Sequence, residues 1–86
     1  MAADMKAIQS WVEEAAAEGA RWLIVACDTF DHEDYPVAVN PDEDFWEKYD
    51  HYNGKNMQRI MEVYDLEMDL SEQLKEFRAM HLPVKQ

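Results

Sequence analysis

Apolar residues recur at Met5, Ile8, Trp11, Val12, Ala15 and Ala16, the spacing that gathers side chains on one face of an α-helix. It predicts a helix over Asp4 to Glu18, with Gly19 placed where a left-handed end is wanted. Next comes Trp22-Leu23-Ile24-Val25-Ala26-Cys27, an unbroken apolar run rich in strand formers, which predicts a strand covered on both faces. Beyond the polar run Asp28 to Asp34, the residues Tyr35, Val37 and Val39 alternate on one face of a second strand, and Pro36 marks that strand as an edge. The connection is too short for a parallel crossover, so the two strands are expected to form an antiparallel hairpin.

Asn40-Pro41-Asp42-Glu43 has the composition of a helix start: a capping amide, proline at the first helical position, and acids over the positive end of the dipole. The helix that follows carries Phe45, Trp46, Tyr49 and Tyr52 on one stripe and stops at Asn53-Gly54. Met57, Ile60, Met61 and Tyr64 predict a third helix by their i, i+3, i+4, i+7 spacing, with Ile60 to Tyr64 as a possible third strand. Asp69 with Glu72 makes a capping-box pattern for a fourth helix, whose apolar face is Leu70, Leu74, Phe77 and His81 and whose end is Pro83. The expectation is an α+β fold in the order α-β-β-α-α-α, a small two- or three-stranded antiparallel sheet with about four helices stacked on one side.

The 86 residues are expected to form one domain, residues 1–86, and a chain this short buries only about 60% of its unfolded surface. Three Trp, four Tyr, three Phe and six Met make the expected core aromatic and thioether-rich. The single Cys27 excludes an intramolecular disulfide and a cysteine-based zinc cluster, which agrees with a reducing compartment. The opening Met1-Ala2-Ala3-Asp4-Met5-Lys6 lacks the basic and apolar regions of an export signal, and the longest apolar run is too short for a bilayer. A cytoplasmic location is expected. A net charge of −11 repels phosphate backbones and anionic lipid surfaces, so neither nucleic acid nor membrane is expected as a direct partner.

The charge is concentrated. Nine acids (Asp28, Asp31, Glu33, Asp34, Asp42, Glu43, Asp44, Glu47, Asp50) stand against one base, Lys48, between Asp28 and Asp50. Three stretches, Trp22 to Asp31, Glu33 to Val37 and Asn53 to Tyr64, resemble a group of short acidic bacteriophage and prophage proteins of unknown function. The resemblance spans most of the chain and implies a viral or mobile-element origin, hence a host-cell cytoplasm; it carries over no functional residue.

Four constellations bear on chemistry. In the loop Asp28 to Asp34, four carboxylates and His32 offer oxygen ligands for Mg²⁺ or Ca²⁺. The order and spacing are not those of a calcium loop, and a solvated turn whose side chains bond turn amides competes. Cys27 ends an apolar strand and precedes Asp28, surroundings that raise a thiol pKa, so an inert cysteine is expected. His32, His51 and His81 lie in three separate elements without a metal-binding spacing. The expected helix Asp42 to Tyr52 combines an aromatic stripe with an acidic opposite face, which is either plain amphipathicity or a face for a basic partner.

The function expected is a non-enzymatic acidic interaction protein that binds a basic surface of a host protein, as a counter-defence inhibitor or nucleic-acid mimic. Its partner-binding residues are Asp31, Glu33, Asp34, Asp42, Asp44, Trp46, Glu47, Tyr49 and Asp50. No cofactor or metal is expected. The alternatives are a divalent-metal-dependent phosphoryl-transfer enzyme using Asp28 and Asp31, and a small-ligand binder. A homodimer is a further expectation, because a two-stranded hairpin is marginal alone and a second copy would complete it.

Overall fold

A computed structural model of the chain describes residues 4–54, 57–76 and 79–83. The elements are α1 (Met5–Ala17), β1 (Trp22–Asp28), β2 (Asp34–Val39), α2 (Phe45–Tyr52), β3 (Gln58–Asp65) and α3 (Leu70–Leu74). The architecture is α+β: three antiparallel strands in the order β2-β1-β3, with three helices among the described residues. Helix α1 starts where the Asp4 carboxylate accepts the Ala7 N–H and ends before Gly19 at φ 85°, a left-handed turn that a residue with a Cβ resists.

Strand β1 is central, and its continuous apolar run follows from that position. Leu23 and Val25 face one side, with Ile8, Val12 and Ala15 of α1 and with Tyr64. Ile24 and Ala26 face the other, with Val37, Val39, Val63 and Phe45. The helices therefore do not stack on one side, as the sequence suggested: α1 and α3 cover one face and α2 the other. A strand apolar on both faces requires cover on both, or half of its side chains would meet water.

The expected helix over Met57 to Tyr64 is instead β3, which pairs with the second edge of β1 from Trp22↔Asp65 to Asp28↔Gln58. A register shift between Val25 and Ala26 accommodates one extra residue of β3, placing Ile60 in the α2 layer and Met61 in the α1 layer. The order is thus α-β-β-α-β-α. The cap of helix α2 lies four residues beyond Asn40, at Asp44, and the helix begins at Phe45. Asn40 to Glu43 form a turn, with Glu43 N–H donating to the Asn40 carbonyl at 3.0 Å and Asn40 N–H to Glu43 Oε1 at 2.9 Å. Asp44 is the cap, accepting from the N–H groups of Trp46 and Glu47.

Helix α3 has the predicted Asp69 cap but stops at Leu74, well short of Pro83; Phe77, counted on its face, lies outside the described residues. The following segment runs beside β3, with Val63 N–H donating to the Ala79 carbonyl at 2.8 Å and His81 N–H to the Val63 carbonyl at 3.0 Å. It covers the outer edge of β3. On the opposite edge, Asp28 N–H bonds the Glu33 carbonyl, and alternation along the ladder then points the Pro36 and Ala38 backbones outward. Proline has no N–H to offer there, and Lys48 Nζ donates to the Ala38 carbonyl at 3.0 Å. With a third strand in place and this edge blunted, the hairpin no longer needs a second copy to complete it.

Candidate functional site

Helix α2 lies across the sheet, fixed at one end by Phe45 against Trp22, with centroids 5.1 Å apart, and at the other by Tyr52 against Tyr35 at 6.2 Å. Its inner side is an aromatic layer. Phe45 is buried, while Trp46 and Tyr49 are half-buried and touch each other edge to face at 5.2 Å. These two candidate partner residues thus pack first against their own core.

The acids take the outer side. Asp42 and Asp44 precede the first turn, Glu47 and Asp50 follow on the helix, and all four are exposed. The one base of the acidic stretch is used internally: Lys48 pairs with Glu43 at 2.9 Å while bonding the Ala38 carbonyl. Glu43 is held below the usual carboxylate pKa, chiefly by the Asn40 amide and then by Lys48. Lys48 is thus not available to offset the four exposed carboxylates.

The β1–β2 turn lies at the end of the sheet reached by the last turn of α2, beyond the Tyr35–Tyr52 contact. Asp28 Oδ1 accepts the Phe30 N–H at 2.8 Å, and Asp31 Oδ1 accepts the Glu33 N–H at 3.2 Å. The His32 N–H bonds the Asp28 carbonyl at 2.7 Å, with His32 itself at φ 61°. Thr29 adds two bonds from its N–H and hydroxyl to the Met57 carbonyl, at 2.7 and 2.9 Å. This closed turn leaves Phe30 77% exposed, and Met57, whose carbonyl Thr29 bonds, 58% exposed. Asp31 and Glu33 are exposed beside them, whereas Asp34 is half-buried as the first residue of β2, opposite Cys27.

Phe30 was not among the expected partner residues. The signal for it is a phenylalanine flanked by carboxylates at a hairpin tip, where a chain of this size has no core to receive it.

The other constellations stay apart. Asp28 and Asp31 each use a carboxylate oxygen on a turn amide, and among the described residues no group of three or more His, Cys, Asp or Glu converges as a metal site. Cys27 is buried, and burial, then Asp34, pushes its thiol pKa up, away from a nucleophilic thiolate. His51 stacks edge-on against Tyr52 at 4.8 Å, His81 pairs with Glu76 at 2.6 Å, and His32 sits in the turn. Along α2, a depression of about 490 Å³ lined by Glu47, Lys48, Asp50, His51 and Tyr52 is open to solvent and contains charged groups. That is not the enclosed apolar cavity of a small-ligand site. No helix among the described residues is long and apolar enough to cross a membrane. No family model matches the chain, and neither a curated protein nor a solved structure does.

Proposed function

We propose that this chain is a non-enzymatic acidic interaction protein whose α2 face and hairpin tip dock on a basic surface of another protein, a host protein if the chain is phage-derived. One observation carries the reading. Lys48, the only base between Asp28 and Asp50, is committed to Glu43 and the Ala38 carbonyl, so the exposed acids on and before α2 have no cation of their own stretch to offset them. A field of one sign attracts the opposite surface and accelerates encounter. Phe30 supplies an apolar group among the acids, of the kind that anchors an interface when it enters a pocket of the partner. A basic surface that ordinarily holds nucleic acid suits such a face, and counter-defence or host takeover would be the corresponding role.

The test is capture of the partner from host lysate, followed by binding kinetics on the purified pair. Reversing Asp42, Glu47 and Asp50 to Lys should slow association by about tenfold or more and flatten its salt dependence, since exposed charges act over a Debye length of about 8 Å at physiological ionic strength. Asp44 is left in place because it caps α2. Phe30→Ala should speed dissociation without lowering the melting temperature. A captured partner indifferent to salt and to the triple reversal would refute the reading; one that still holds nucleic acid in the complex would remove the mimicry alone.

A further inference from the structure

The face of the sheet opposite α2 is unevenly covered. Helix α1 packs on β1 and against α3, and α3 packs on β3; the part of this face built by β2 carries Asp34 at its start, opposite Cys27, and then Pro36 and Ala38. A groove of about 170 Å³ opens there, floored by Leu23, Pro36 and Ala38 and walled by Trp11 and Ala15 of α1. Glu14 and Glu18 stand on the same wall, one helical turn apart, and among the described residues neither has a cationic partner. The groove is small beside ligand clefts of roughly 300–1,000 Å³. It has room for one long side chain, apolar along its stem and cationic at its tip.

We propose that this groove is a second docking site, independent of the α2 face, for an arginine in a linear basic segment of a partner protein. The aliphatic stem lies along Trp11, Leu23 and Pro36, which removes apolar surface from water. The guanidinium reaches Glu14 and Glu18, where its planar fork engages two carboxylates as the point charge of a lysine does not. The net charge of −11 draws a basic segment toward the chain and repels nucleic acid and anionic lipid from the same groove.

The probe is a heptapeptide amide, Gly-Gly-Leu-Arg-Leu-Gly-Gly, titrated into isotopically labelled full-length protein and followed by ¹H–¹⁵N NMR, with a control in which citrulline replaces arginine. The arginine peptide should give saturable shifts at the amides of Glu14, Glu18 and Ala38. Citrulline keeps the shape and loses the charge, so its binding should be weaker by about tenfold or more, as should binding of the arginine peptide to the Glu14→Gln/Glu18→Gln variant. Both positions are exposed, Glu14 on α1 and Glu18 at its C-terminal cap, so the substitutions should leave the fold intact. The Asp42, Glu47 and Asp50 reversals should leave the groove shifts in place, which separates this site from the α2 face. Equal binding of the two peptides, shifts confined to α2 or the hairpin tip, or no saturable shift overturns the proposal.

Discussion

Among the described residues Gln73 is the buried polar residue of the core, 2% exposed, and its side chain is bonded at both ends. Oε1 accepts the Asp65 N–H at 2.8 Å, while Nε2 donates to the Asp65 carbonyl at 2.8 Å and to the Asp69 carbonyl at 3.3 Å. The amide thereby stands in for a strand at the point where β3 leaves the sheet. Gln73→Leu keeps a similar bulk but orphans the Asp65 N–H and leaves the Asp65 carbonyl with the Met68 N–H at 3.2 Å, and should destabilise the protein by about 1–3 kcal/mol in urea melts; an unchanged midpoint would show the clamp to be dispensable. Tyr64, fully buried, shows the same logic. Its hydroxyl donates to Glu62, and burial, then this bond, raises its pKa far above the ordinary tyrosine range, holding the phenol neutral. Asp69 was legible as a cap because its partners lie two or three residues on. Gln73 was not, because its main partner is eight residues away and brought back by a turn.

At the scale of elements, short segments are where periodicity fails. Met57, Ile60, Met61 and Tyr64 satisfy the helical template, yet strand alternation sends the neighbours Ile60 and Met61 to opposite layers, and the bulge puts Ile60 on the face opposite Tyr64. The free edge of β1 decided the outcome, since pairing it satisfies a row of backbone groups that a helix would leave open. The start of α2 was misplaced for a different reason. Asn40-Pro41 and Asp44 both carry start signals, and the Glu43 bond to the Asn40 N–H selects a turn at the first and the cap at the second. Asp44→Ala should cost about 0.5–2 kcal/mol, as expected of a lost cap, and Asn40→Ala clearly less. Equal losses in thermal melts would return the helix start to Asn40.

For the molecule as a whole, the exposed edge of β2 and the charge of −11 set how copies meet. Pro36 withholds a donor, and Lys48 occupies the Ala38 carbonyl. Pro36→Val with Lys48→Ala restores an open edge of strand formers, and light scattering at rising concentration should show the variant associating more strongly than the native chain. No difference between them would mean that repulsion between the acidic surfaces, and not the edge, controls association.

The amino-acid sequence alone determined what local physics can carry: α1 with its Gly19 end, the doubly buried β1, the antiparallel hairpin with Pro36 at the edge, the aromatic stripe of α2, the Asp69 cap and the concentration of acids from Asp28 to Asp50. These depend on residue spacing, backbone restriction and charge, which act within a few positions. Only the tertiary structure decided that Gln58–Asp65 is a strand, that helices cover both faces, that Lys48 is turned inward, and that Phe30 stands in solvent. Each depends on which distant backbone or side chain arrives as a neighbour, and a helical or polar pattern in one segment does not contain that information.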